Sequence, residues 1–202
     1  MSAPDVKRRI GLLGGSFNPP HGGHREISVA ALKRLSLDSV WWLVTPGNPL
    51  KDPADYAPFD DRMKLARKAA DHPDIVVSDF EKRHGLQYTV DTIERLREFH
   101  PDTGFIWLMG ADSLATFHRW KDWRRIAALA PMAVFNRPGY GDAALESEAA
   151  VALAPFRVAP ENAETLAERE PPVWTYFSDT DNTLSSTSLR NARRKKTEPP
   201  NT

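Results

Sequence analysis

Ile10-Gly11-Leu12-Leu13-Gly14-Gly15-Ser16-Phe17-Asn18-Pro19-Pro20-His21-Gly22-Gly23-His24 reads as a strand, a turn and a helix start in immediate succession. Ile10 to Leu13 is a short apolar run of the kind buried in a parallel sheet. Gly14 and Gly15 end it, and without side chains they let a ligand come close to the backbone. Asn18, Pro19 and Pro20 form a bend that suits neither strand nor helix. Ile27, Ala31 and Leu35 then recur on one helical face. His24 falls in the first turn of that helix, and His21 lies in the loop just ahead of it. Uncommitted backbone N–H groups, the positive end of a helix dipole and two imidazoles collect at one point. That is the chemistry of a phosphate site.

The rest of the chain repeats the alternation. Ser39 to Thr45, Asp74 to Ser78, Phe105 to Met109, Met132 to Phe135 and Val173 to Phe177 read as further strands, rich in β-branched and aromatic residues. Helical spacing lies between them: Phe59, Met63, Ala66 and Ala70; then Val90, Ile93 and Leu96, with Thr89 as N-cap. Ser113 to about Leu129 reads as one helix carrying Leu114, Phe117 and Trp120. Ala143 to Ala154 suggests another, and the Pro- and Glu-rich stretch after it suggests an exposed connection. Alternating strands and helices predict an α/β, Rossmann-like open parallel sheet of about six strands, with helices on both faces. No repeat or second domain is visible, so residues 1–202 read as a single domain, with its core over about 7–194 and a tail at 195–202.

Composition narrows the function classes. With 202 residues, 27 basic and 27 acidic side chains and no cysteine, the chain carries no net field toward nucleic acid or membrane and no thiolate metal site. No apolar run has the length of a signal peptide or a bilayer span, and a cytoplasmic protein is expected. Two histidines three residues apart lack a third ligand for zinc, so no protein-held metal is expected.

In open α/β sheets, ligands bind beyond the carboxyl ends of the strands, and three motifs fall at such ends. Gly14-Gly15 is the first. Asn48-Pro49-Leu50-Lys51 follows the second strand. Gly110-Ala111-Asp112 closes the fourth, where a carboxylate suits ribose hydroxyls or a helix N-cap. Near the C-terminus, Ser185-Ser186-Thr187 places three hydroxyls at a helix start. Arg190 stands one turn further on nearly the same face, making a second anion cradle. Arg193 to Lys196 reads as a solvated, basic helix end.

His21-Gly22-Gly23-His24 and the fuller Gly-Gly-Ser-Phe-Asn-Pro-x-His-x-Gly-His pattern resemble the H-x-G-H nucleotidyltransferases, and most of all their nicotinate-nucleotide adenylyltransferase branch. Asn18 departs mildly from the pattern, standing where aspartate is common. The resemblance runs over about Lys7 to Arg194 and implies transfer of adenylate from ATP to nicotinate mononucleotide, with pyrophosphate released and Mg²⁺ accompanying ATP. It implies that His21, His24, Lys51 and Arg190 act on the phosphates. ATP would meet Gly14, Gly15, Ser16, Phe17, His21, His24, Gly110, Asp112, Ser185, Ser186, Thr187 and Arg190. The mononucleotide would meet Asn18, Lys51, Thr89 and Trp120, with the indole stacked on the pyridine ring. Partners are then the two nucleotides, with homo-oligomerisation left open. Rival readings are a nicotinamide-mononucleotide, phosphopantetheine or glycerol-phosphate nucleotidyltransferase and, outside enzymes, a nucleotide-sensing domain.

Overall fold

A computed structural model describes residues 7–47 and 56–180. Among these residues six strands form one sheet, in the order β3-β2-β1-β4-β5-β6. They are β1 (Arg8–Gly15), β2 (Ser39–Val44), β3 (Ile75–Ser78), β4 (Thr103–Gly110), β5 (Met132–Phe135) and β6 (Trp174–Phe177). Every pairing is parallel, as the alternating pattern predicts. Helices α1 (Gly22–Arg34), α2 (Phe59–Ala70), α3 (Phe80–His84), α4 (Thr89–Phe99), α5 (Ala111–Leu114), α6 (Trp123–Leu129), α7 (Gly141–Leu145) and α8 (Glu148–Ala152) connect or flank the strands. No described helix is long and apolar enough to cross a membrane.

The period-two pleat divides the core in two. Ile10, Leu12, Phe105, Trp107, Met109, Met132, Val134, Trp174 and Tyr176 pack on one face, against α4 and α6. Leu13, Val40, Trp42, Val44, Ile106, Leu108, Ala133, Phe135 and Phe177 pack on the other, against α1 and α2. From β1 the chain moves outward to β2 and β3, then returns across β1 to build β4, β5 and β6. The carboxyl ends of β1 and β4 therefore diverge into helices on opposite sides, and the crevice between them is the expected ligand position.

Several local expectations need correction. The stretch from Ser113 to Leu129 is broken. After α5 comes a 3₁₀ turn at Phe117–Arg119, then Trp120 in extended backbone and Asp122 at φ 51° before α6. Leu114, Phe117, Trp120 and Trp123 recur every third residue, a period that fits 3₁₀ geometry better than the 3.6 of an α-helix. Ala143 to Ala154 divides at Ser147. That hydroxyl donates to Ala144 C=O (2.7 Å) and accepts from Ala150 N–H (3.3 Å), as serine does when it competes with the helix ladder. The expected exposed connection contains a 3₁₀ helix, Pro160–Glu168, which buries Ala163, Leu166 and Ala167. Thr89 is the first residue of α4; the N-cap is Tyr88.

Gly14 has a second reason to be small, apart from the ligand approach expected of it. A Cβ there would stand 2.5 Å from Cη2 of Trp107, so the residue is small to admit a core indole. Gly14→Ala should therefore lower stability by about 1–3 kcal/mol through overpacking. Chemical denaturation checks this, and an unchanged midpoint would contradict it.

Candidate active site

Beyond β1 the chain turns through Ser16 and Phe17 into the start of α1. Phe17 has φ 46°, a left-handed backbone that a bulky residue holds only when its surroundings enforce it. Its ring is buried, stacks on Trp42 (centroids 4.9 Å, 16°) and touches the His24 ring (4.7 Å). Only the backbone of Phe17 is therefore available to a ligand. His21 is the N-cap of α1 and His24 its third residue. Their backbones close the turn: His24 N–H donates to His21 C=O at 3.0 Å, and His21 N–H donates to Nδ1 of His24 at 3.2 Å. Because Nδ1 accepts, a neutral His24 carries its proton on Nε2. The two rings lie 3.9 Å apart. No acidic residue occupies the first turn of α1, so no carboxylate competes with an anion for the amides that the His24–His21 bond leaves open.

His24 is held from behind. Its carbonyl accepts from Ser28 Oγ (2.8 Å), and that oxygen accepts from Trp42 Nε1 (2.7 Å). Ser28 and Trp42 are both buried. Asn18 is buried as well, and its Oδ1 accepts from Ala57 N–H (3.2 Å), so it ties the turn to the residues ahead of α2.

Facing the histidines are Asp112, in the first turn of α5, and Arg137, just beyond β5. The Arg137 guanidinium pairs with the Asp112 carboxylate. Asp112 is not the N-cap; Gly110 is, and no side chain caps that end. Both histidines are neutral at physiological pH. Burial, then the Arg137 charge, lowers His21 to about 4 against a partial counter-pull from Asp112. Burial, then His21, lowers His24 to about 3. Sequence reasoning missed Arg137. The signal was available, since Asn136-Arg137 follows a strand whose carboxyl end borders the ligand crevice.

A second cluster lies on the other face of the sheet. Trp120 is half-buried, edge-on to Phe117 (5.4 Å) and Trp107 (6.2 Å). Its neighbour Lys121 reaches the Tyr88 ring (4.3 Å) and Asp91 (3.7 Å). Trp120 and the half-buried Thr89 thus belong to segments that touch. Trp107, the indole accommodated by Gly14, joins this cluster to the end of β1. Phe117 is wholly core. Lys51, Ser185, Ser186, Thr187 and Arg190 lie outside the described residues. Among the described residues no group of three or more His, Cys, Asp or Glu side chains is arranged to hold a metal ion.

Comparison with known proteins agrees with this architecture. The Cytidylyltransferase-like family model matches residues 12–192. A relative from Bradyrhizobium sp. (strain ORS 278), named "Probable nicotinate-nucleotide adenylyltransferase", is 54% identical over 183 residues, covering 91% of this chain and 95% of its own. A relative of the same name from Brucella abortus (strain 2308) is 46% identical over 187 residues, covering 93% and 96%. Among solved structures, Plasmodium falciparum nicotinic acid mononucleotide adenylyltransferase complexed with NaAD superposes with a TM-score of 0.70 at 15% identity, over 91% of this chain and 83% of that one. At that identity the likeness is one of fold.

The depressed histidine pKa values set a direction for stability. Below the ordinary 6.5, the unfolded chain protonates His21 and His24 while the folded chain resists until about 4 and about 3. The unfolded state then binds more protons, so stability present at pH 7 is lost as pH falls through that window. Denaturation midpoints from pH 7 to pH 4.5 should fall, and the fall should be shallower in His24→Asn. An identical slope in the variant would contradict the assignment.

Proposed function

This chain belongs to the nicotinate-nucleotide adenylyltransferases of the Cytidylyltransferase-like family, and we propose that it joins nicotinate mononucleotide to ATP, giving the deamido dinucleotide precursor of NAD. One observation carries the reading: the His21–His24 pair stands at the start of α1, just beyond the carboxyl end of β1, with Arg137 and Asp112 near enough for their charges to act on His21. The relatives' names supply the substrate class.

In this reaction an oxygen of the mononucleotide 5′-phosphate attacks the α-phosphorus of ATP. The bond from that phosphorus to the β-phosphate oxygen breaks, and pyrophosphate leaves with the electron pair. The nucleophile is already an anion, so no side chain needs to remove a proton or form a covalent intermediate. The protein has to hold two mutually repelling anions in line and stabilise charge as it develops. Neutral imidazoles suit this task. They donate N–H bonds to phosphate oxygens without giving up a proton, and they need no reorganisation as charge develops. In this reading the first-turn amides of α1, the backbone at Ser16 and Phe17, and the Arg137 guanidinium complete the phosphate site. Mg²⁺, arriving with ATP and held by phosphate oxygens and water, would neutralise the β- and γ-phosphates. Lys51, Ser185, Ser186, Thr187 and Arg190 are assigned to the same phosphates on sequence grounds. Asp112, already paired with Arg137, is assigned to the adenosine ribose together with Gly110. Trp120 and Thr89 are assigned to the pyridine end.

Pyrophosphate release, measured with nicotinate and with nicotinamide mononucleotide in turn, tests the reading. Turnover with the acid well above the amide is expected; preference for the amide, or turnover with neither, contradicts it. His24→Ala should lower kcat by about 10²- to 10³-fold, the usual cost of one preorganised donor to a developing charge, while circular dichroism stays native. Near-normal turnover would refute its role. Trp120→Ala should raise the KM for the mononucleotide by about tenfold, on the scale of one lost ring stack, and leave the KM for ATP nearly unchanged. Equal rises in both would rule out ring stacking.

A further inference from the structure

Arg62 stands on α2, is only 1% exposed and makes no ion pair among the described residues. Among the described residues its guanidinium makes four hydrogen bonds, all to backbone carbonyls. Nη1 donates to Ser16 C=O (2.7 Å) and Thr45 C=O (2.8 Å), Nη2 to Pro46 C=O (3.1 Å) and Nε to Ala57 C=O (3.1 Å). The rings of Tyr56 and Phe59 each lie 5.2 Å from its central carbon. Burial lowers its pKa.

A buried cation is costly, and an apolar side chain of similar volume would fill the same space without that cost. What the guanidinium adds is direction. It is a rigid planar fork with five donors. It grips the turn after β1 (Ser16), the turn after β2 (Thr45 and Pro46) and the approach to α2 (Ala57) from a single point. In a trans peptide the C=O and N–H point in opposite directions. Drawing Ser16 C=O toward Arg62 therefore turns the Phe17 N–H away from it, and drawing in Pro46 C=O does the same for the Gly47 N–H. The first of these peptides borders Phe17, the left-handed residue whose conformation needs enforcement.

We infer that Arg62 is a positioning residue for the reaction: its guanidinium fixes the turns after β1 and β2 together, so that the amides meeting the two nucleotides are aimed before either arrives. The inference rests on the function proposed above and deepens it.

Arg62→Lys tests it. A lysine keeps the charge but cannot make four divergent bonds. The variant should fold with a lowered Tm and show KM values for ATP and nicotinate mononucleotide that both rise by about 10- to 100-fold, the scale expected when only about a tenth to a hundredth of the molecules hold the binding-competent turn. Loss of stability alone would shrink the active fraction and leave both KM values native; that result overturns the inference. Should the variant not fold, the wild-type protein still decides. On adding a nonhydrolysable ATP analogue, the Phe17 amide resonance should shift and its hydrogen exchange should slow; an unmoved, unprotected amide overturns the inference. A wild type that forms no dinucleotide overturns the proposed function and this inference with it, whereas an active wild type beside an Arg62→Lys variant of native KM overturns the inference alone.

Discussion

β1 is paired on both sides, to β2 and to β4, and the chain changes direction across it. This single constraint does most to place the site. A strand in that position must leave the sheet at its carboxyl end, where neither neighbour covers it. Its exit turn must then start a helix whose first amides have no partner within the helix. The Gly14-to-His24 stretch meets the demand in steps. Gly14 admits Trp107, Phe17 folds back onto Trp42, and His21 and His24 close the first turn on each other. The first-turn amides left over lie just beyond the carboxyl end of β1. Ending a central parallel strand in this way leaves amides suited to an anion, which is why the phosphate site is proposed there.

Among the described residues, the electrostatics around that turn follow from burial and from Arg137. Arg137 stands close enough to push down the pKa of both imidazoles, while its pairing with Asp112 keeps its own charge partly answered. Among the described residues the turn thus gathers one cation, one carboxylate and two neutral imidazoles. In the proposed reaction, incoming phosphates would meet groups already arranged for negative charge, and little reorganisation would be needed. The Trp42–Ser28–His24 chain of hydrogen bonds extends the same rigidity into the core.

Much of this was legible in the sequence. The strands were visible because most are short apolar runs rich in β-branched and aromatic residues, the mark of a sheet covered on both faces. The histidines were visible because a glycine turn, a proline bend and a helix start frame them. Other features were hidden for physical reasons. Leu114, Phe117, Trp120 and Trp123 mimic an α-helix because a three-residue period serves both helix types. Ala163, Leu166 and Ala167 were lost among charged neighbours. α3, at five residues, is too short for a periodic signal. Arg62 reads as one more charged residue on an amphipathic helix, and only the carbonyls around it reveal its role. Gly14 was noticed, but its neighbour across the strand was not, because contacts between strands are not written in the local sequence. Arg137 was within reach of the strand-end rule and was passed over.

The most direct test is a crystal structure of the protein with a nonhydrolysable ATP analogue and nicotinate mononucleotide. The triphosphate should lie at the start of α1, within hydrogen-bond distance of His21, His24 and the Gly22 and Gly23 amides, with the pyridine ring against Trp120. A triphosphate bound elsewhere, with the imidazole pair left to water, would contradict the account.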